Sequence, residues 1–391
     1  MDVMATKQVL VIGGGVTGCA IAHDLTLRGV EVTVVERGEL ASGTTGRCSA
    51  FLHSGSRYAV TDPEAADECI AENQIMRKVM PSGMIEPDDG LFILLKGDDP
   101  AYADQWFQGC ADAGITAKEI SPAEVARREP LVTREISRAA ITPDAVIEAL
   151  RFALVFAATA RVNGAHFLPY SEVQDFLMDA DRVIGLKLKN RVTGELFELR
   201  GDAVINAAGP WVGEISSLIG IRIPLSMSPG VHVIIGKRLV NHTINLIRKP
   251  ASGDFAYPQG PQTILGTTSW TVENCDHLRA PKEHITNTLR DGEVIIPSLR
   301  KYPVLSVNAA TRPLIAKPGA NERELSRKFE VFDHAEINGV ESFVTIGGGK
   351  LTIARAMAEK TCDVVCKKLG VDAPCRTAST PMVSWRRFYV G

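Results

Sequence analysis

The sequence predicts an α/β protein. A parallel sheet interleaved with helices is assembled from both ends of the chain, and a sheet-rich unit is inserted between them. Three observations predict it. Apolar strand patterns alternate with helical patterns over the first 80 residues, the stretch from 225 to about 266 alternates as strands, and strand–helix alternation returns after 343. At 391 residues the chain is long for one core, and two or three domains are expected. Its hydrophobic share of 45% and charged share of 23% fit a soluble globular protein and exclude a disordered or fibrous one. A net charge of −3, from 43 basic and 46 acidic residues, gives no reason to expect nucleic acid as a partner. Functional arginines must therefore be placed locally.

The elements follow in order. Residues 8–13, QVLVIG, read as a buried parallel strand, 16–28 as a helix with small residues on one side, and 31–36, EVTVVE, as a second strand. The segment 65–79 has helical charge patterning and follows Asp62-Pro63, a helix entry. A strand is expected at 90–96. A short helix is expected at 121–128, with Ser121 and Glu124 as a capping box and Pro122 in its first turn. A longer helix is expected at 143–160. The most apolar helical stretch, 146–162, contains Glu148, Arg151 and Arg161, which argues against a membrane span. Segments 182–190 and 193–199 suggest a hairpin around Thr193-Gly194, and 203–207 a third apolar strand. A last strand is expected at 343–346, then glycines 347–349, then a helix over 351–369. The charged segment 317–328 reads as a loop over a site or a surface excursion. The opening MDVMATK is too short and polar for a secretory signal. The eight cysteines are scattered, so reduced thiols in a cytosol are expected. Cys362, Cys366 and Cys375 have no fourth ligand nearby in sequence, and no metal is expected.

The most informative motif is Gly13-Gly14-Gly15-Val16-Thr17-Gly18, which matches G-x-G-x-x-G between a strand and a helix. Gly13 permits the tight turn, Gly15 lets backbone approach a pyrophosphate, and Gly18 lets helix pack on strand. The helix N-terminus then faces the diphosphate with free N–H groups. Glu36 ends the next strand, where an acid for ribose hydroxyls is expected. The motif does not separate FAD from NAD. A second Gly/Ser/Thr-rich loop, GELASGTTG at 38–46, favours the longer FAD. So do the glycine clusters at Ala207-Ala208-Gly209 and 347–349, because a helix N-terminus after the latter would stabilise an anionic reduced flavin.

Basic residues in small or apolar surroundings come next: Arg57 and Tyr58 in LHSGSRY, Arg312 in TRPL, Lys350 in GKL, and His232 inside an apolar strand. Several such cations around a flavin would suit an anionic substrate, with arginine holding a phosphate or carboxylate bidentately.

The runs GGGVTGCAIAHDLTLRGVEVTVVERGELASGTTGR and HSGSRYAVTDPEAADECIAENQI, then RPL and GGGKLT, resemble FAD-dependent glycerol-3-phosphate dehydrogenases, most nearly the catalytic A subunit of the anaerobic enzyme. The resemblance implies a glutathione-reductase-like FAD-binding Rossmann domain with a D-amino-acid-oxidase-type mixed β-sheet substrate domain. The FAD domain is expected at 1–82, 136–215 and 331–391, and the substrate domain at 83–135 and 216–330. It also implies oxidation of sn-glycerol 3-phosphate to dihydroxyacetone phosphate, with electrons passed to a quinone or a partner subunit. Expected FAD contacts are Gly13, Gly15, Thr17 and Gly18 of the first turn, Glu36 and Arg37, and Ser42, Thr44 and Thr45 of the second glycine loop. His53, Ser54 and Val173 follow, then Ala208 and Gly209, then Gly348, Gly349, Lys350, Leu351 and Thr352.

Substrate contacts implied by motif are Arg57, Tyr58, Arg312 and Lys350, with Arg327 of LSRKF similar to another family arginine near the phosphate. The implied catalytic residues are His232, Lys350 and Arg312. His232 is the first candidate for the base, because imidazole titrates near neutrality, and Lys350 is the alternative. Three positions depart from the family pattern. Arg47-Cys48-Ser49 stands for Arg-Asn-His, Ala310-Thr311 for Gly-Val, and Ala354 for an aromatic before Arg355. The first two leave a related polyol phosphate open as substrate. Competing readings are an oxidase producing hydrogen peroxide, an amine or amino-acid oxidoreductase of the same superfold, and a non-catalytic flavoprotein subunit. The longer family members continue into a cysteine-rich iron–sulfur region, so this chain is expected either to lack that relay or to depend on a separate subunit for it. FAD is expected to bind non-covalently. The location is expected to be cytoplasmic, including attachment to the inner face of the cell membrane, and homo-oligomers fit the reading.

Overall fold

The computed structural model describes residues 6–87, 89–276, 278–316 and 328–390. A six-stranded sheet runs in the order Phe329–Asp333, Phe343–Gly348, Ala203–Asn206, Gln8–Ile12, Glu31–Val35, His166–Leu168. All neighbours are parallel except the first pair. Strand side chains alternate between faces. Val9 and Val11 therefore point into one core with Ile21, Leu25, Phe152 and Phe156 of the helices Val16–Leu27 and Ala149–Val162. Leu10 and Ile12 point the other way, against Phe176, Leu186 and Leu188 of a three-stranded antiparallel sheet. Burial on both faces explains why QVLVI is almost continuously apolar. Helix Ala354–Leu369 completes the first layer through Met357, Ala358 and Val365.

The second unit is an eight-stranded mixed sheet in the order Val304–Ile315, Leu225–Ile235, Gln262–Gly266, Phe255–Gln259, Thr243–Leu246, Gly90–Leu95, Ile136–Thr142, Lys118–Ile120. Thr243–Leu246 and Gly90–Leu95 are parallel, and every other neighbouring pair is antiparallel. Two expected boundaries move. Ile136–Thr142 pairs with Gly90–Leu95 (Ala140 opposite Phe92), so the chain leaves this sheet after 142 and not after 135. The return to the six-stranded sheet begins at Phe329, not 331.

The helix expected at 143–160 is also corrected. Residues Ala145–Val146 form a short strand paired with Phe51–Leu52, and the helix begins at Ala149. The cause is polar: Asp144 turns inward to accept the Ser54 amide at 2.9 Å, and Glu148 caps the helix by accepting from the amides of Leu150 and Arg151. The capping of Pro122–Arg128 by Ser121 and the hairpin Arg182–Asn190 with Leu196–Arg200 are present. The last helix is preceded by a short 3-10 turn, Leu351–Ile353. The loop expected at 317–328 lies outside the described residues apart from Lys328, which pairs with Glu64. Among the described residues no helix is long and apolar enough to cross a membrane.

Candidate active site

The first turn has the geometry its glycines require. Gly13 has φ +105°, and a Cβ there would lie 2.6 Å from the Ala207 carbonyl oxygen. A Cβ on Gly18 would run into the Gly13 carbonyl, so only glycine lets the helix seat on the strand. Gly15 is the N-cap of Val16–Leu27 and brings no side chain to occupy the first-turn amides. The Val16 amide donates to Thr45 Oγ1 at 3.1 Å, which ties the second glycine loop to the helix start. Glu36 accepts from the amides of Gly14 and Gly38, each at 2.8 Å, and so stands at the mouth of the turn. This cradle, with a helix N-terminus and an adjacent carboxylate, fits a dinucleotide: the diphosphate against the amides and ribose hydroxyls toward Glu36. Thr17 is half-buried in the first helical turn, and Ser42 is exposed beside Gly38. Arg37 stacks 4.4 Å from the centre of a Trp211 ring and pairs with Asp276 at 2.7 Å. Val173, on the strand Ser171–Asp179, lies near the same end, where the Ser171 amide donates to the Glu36 carbonyl.

Further along, Thr44 Oγ1 donates to the Thr311 carbonyl at 2.8 Å, joining the glycine loop to the substrate-side sheet next to Arg312. Thr352 Oγ1 donates to the Phe51 carbonyl at 3.1 Å and accepts from the His53 amide at 2.9 Å. Ser54 donates through both its amide and hydroxyl to Asp144, and His53 Nδ1 stands 3.5 Å from the same carboxylate. Burial lowers the pKa of His53, and the Asp144 hydrogen bond opposes that shift. Ala208 and Gly209 follow the Ala203–Asn206 strand at the same end of the parallel sheet as Gly13. Gly348 and Gly349 turn the chain into Leu351 and Thr352.

The cations gather around an aromatic cluster. Phe51 has ring contacts at 5.0 Å to His53, 5.0 Å to Phe255 and 4.8 Å to Tyr257. Lys350 Nζ sits 5.0 Å over the Tyr58 ring, is buried, and makes no hydrogen bond among the described residues. Tyr58 stacks edge-on with His53. Arg57 lies 5.7 Å over Phe255 and pairs with buried Asp254 at 3.2 Å. Arg312 donates to Thr267 Oγ1 at 3.0 Å and to the carbonyls of Ser228 and Thr268. His232 lies 6.4 Å from the Phe255 ring and bonds Ser49 Oγ at 2.9 Å. Its pKa is pushed down to about 3, first by burial and then by the Arg312 guanidinium, with the Arg47 backbone carbonyl opposing. Arg57, Tyr58, His232 and Lys350 are thus linked through Phe51 and Phe255, and Arg312 adjoins His232. Arg327 lies outside the described residues.

Several contributors carry no signal in the sequence. Asp144, Asp254 and Thr267 reach the site from positions far along the chain, and no local motif marks them.

The model of the family described as FAD dependent oxidoreductase matches residues 8–364. The chain belongs to that family. It is 38% identical over 376 residues to the A subunit of the anaerobic glycerol-3-phosphate dehydrogenase of Escherichia coli K12, covering 95% of this chain and 69% of that one. It is 36% identical to the A1 subunit of the anaerobic enzyme of Haloferax volcanii, covering 98% of this chain and 68% of the relative. Among solved structures, the glycerol-3-phosphate dehydrogenase of Bacillus halodurans complexed with FAD superposes with a TM-score of 0.74 at 26% identity, covering 97% of this chain and 68% of that one. The FAD fold and the oxidoreductase class expected from sequence are therefore those of the family.

Proposed function

We propose that this protein oxidises sn-glycerol 3-phosphate at C2 to dihydroxyacetone phosphate and passes the electrons to a quinone or a partner subunit. The supporting observation is the gathering of Arg57 and His232 around Phe255, with Lys350 over Tyr58 and Arg312 beside His232, next to a cradle built for a dinucleotide. The names of the relatives point to the same substrate, and their being single subunits of a larger enzyme points to a partner.

Arg57 and Arg312 hold the phosphate, since two guanidiniums match a dianion in charge and geometry. Lys350, whose ammonium is buried over the Tyr58 ring, faces the oxygen that becomes negative as the alcohol is oxidised. His232, held neutral by its surroundings, is the proton acceptor. Bound FAD supplies the hydride acceptor. Tyr58 lines the pocket beneath Lys350.

Anaerobic mixing of the FAD-loaded protein with sn-glycerol 3-phosphate is expected to bleach the flavin absorbance. In Arg312→Ala, loss of one charge-assisted contact is expected to raise KM by about 10-fold or more. A flavin that stays yellow with this substrate would overturn the reading, and an unchanged KM would remove Arg312 from the phosphate.

A further inference from the structure

The hydrogen bond between Ser49 and His232 carries more than a structural pairing. His232 lies within the strand Leu225–Ile235, opposite Gly266 of Gln262–Gly266. A Cβ on Gly266 would stand 2.7 Å from His232 Cδ2, so the imidazole fills space that only a glycine leaves. The residue is 5% exposed. Its Nδ1 is enclosed by protein atoms, and the Arg47 backbone carbonyl acts on the ring in the direction that favours its protonation. Its Nε2 is covered by Ser49 Oγ at 2.9 Å. Ser49 itself is half-buried and belongs to the segment that joins the second glycine loop to the strand Phe51–Leu52. Ser49 is therefore the less buried residue of the pair, and His232 the more buried one.

We propose that the Ser49 hydroxyl takes the proton from the substrate's C2 hydroxyl and passes its own proton to His232 Nε2. The idea rests on the reading that a polyol phosphate is oxidised at C2. The substrate O–H bond breaks and its proton goes to Ser49 Oγ. The Ser49 O–H proton moves to Nε2 and leaves an imidazolium. FAD, when bound, would accept the hydride given up as the C2–H bond breaks and C2=O forms. The substrate loses one proton and one hydride, and His232 gains one proton. Serine serves this exchange because its hydroxyl both donates and accepts, so the relay regenerates the group it started from. An imidazolium beside Arg312 is tolerated when a phosphate dianion neutralises that guanidinium.

Single-turnover flavin reduction by sn-glycerol 3-phosphate, followed anaerobically on the FAD-loaded full chain across pH, tests this. Ser49→Ala is expected to slow reduction by about 100-fold, within the range for loss of a proton-transfer group, and to change the pH profile while half-saturation moves little. Ser49→Thr, which keeps the hydroxyl, should recover most of the rate. The Ser49→Ala/His232→Ala double variant should be no slower than the slower single one, because the two act as one unit. Reduction of Ser49→Ala at the wild-type rate, with His232→Ala slow, would mean that His232 takes the proton directly. Ser49→Thr as slow as Ser49→Ala would also overturn the relay. A fast His232→Ala would remove the base and the relay with it. Wild type that fails to bleach would instead sink the substrate assignment on which both rest.

Discussion

At the scale of single residues, the site is governed by how its cations are held. Arg57 does not stand alone: buried Asp254 accepts from it at 3.2 Å, from Arg248 Nε at 2.9 Å, and from the Ala251 amide. Asp254 is 1% exposed, so its charge acts with little solvent screening on both guanidiniums. It fixes Arg57 over Phe255 and keeps two like charges together. Asp254→Asn preserves volume and removes that charge. We expect KM for the phosphorylated substrate to rise about 10-fold, equivalent to roughly 1.4 kcal/mol of lost positioning, with a smaller change in kcat. Steady-state kinetics checks this. A KM unchanged within twofold would show that Arg57 needs no orienting partner, or that it is not on the phosphate.

At the scale of elements, a buried ion pair fastens a late helix to an early one. Arg355 opens the helix Ala354–Leu369 and donates through Nε to Glu72 Oε2 at 2.9 Å on the helix Pro63–Val79. It also bonds Glu359 and Thr377. This clamp holds the turn carrying Lys350 and Thr352 against the segment carrying His53 and Arg57. Breaking a buried pair from one side leaves an uncompensated charge, at a cost of about 3–5 kcal/mol. The remaining Glu359 contact puts Glu72→Ala near about 3 kcal/mol in denaturant unfolding, with weaker FAD retention. Glu72→Met with Arg355→Met should regain much of that loss. A Glu72→Ala chain as stable as the parent would contradict the clamp. Elements of this kind also mark what the sequence does not disclose. The first turn, Glu36 and the Ser121 cap are legible because their donors and acceptors lie within one strand–turn–helix or one turn of helix. The start of the Ala149–Val162 helix is not legible, because Asp144 answers to Ser54, ninety residues earlier. The partners of Arg312 are likewise set by sheet register, and those of Arg57 and His232 by turns and loops far away in the chain, neither of which a single sequence with no local signal encodes.

At the scale of the whole molecule, buried imidazoles make stability depend on pH with a definite sign. Burial is the first cause lowering the pKa of His23, His53, His232 and His334, to about 4 for His23 and about 3 for His232. In the unfolded chain each binds its proton near the ordinary value of about 6.5. Below that pH the unfolded state holds more protons than the folded one, so folding loses about 1.4 kcal/mol per pH unit for each such group until its folded value is reached. His242 has the opposite sign. Its bond to Glu129 raises its pKa, so its contribution is complete below about pH 6.5 and is lost only as pH rises through the raised value. It cannot offset the others on the acid side, because there it is already protonated in both states. The melting temperature of the FAD-loaded protein is therefore expected to fall as pH drops from about 6.5 to about 5. His23 offers the cleanest check: both its ring nitrogens are buried without hydrogen bonds among the described residues, and it packs 6.0 Å from Phe156. His23→Leu should flatten the pH dependence of unfolding free energy by about 1.4 kcal/mol per unit across that window. A slope that His23→Leu leaves unchanged, or a melting temperature that rises toward the acid end, would show that these imidazoles are not kept neutral by the fold.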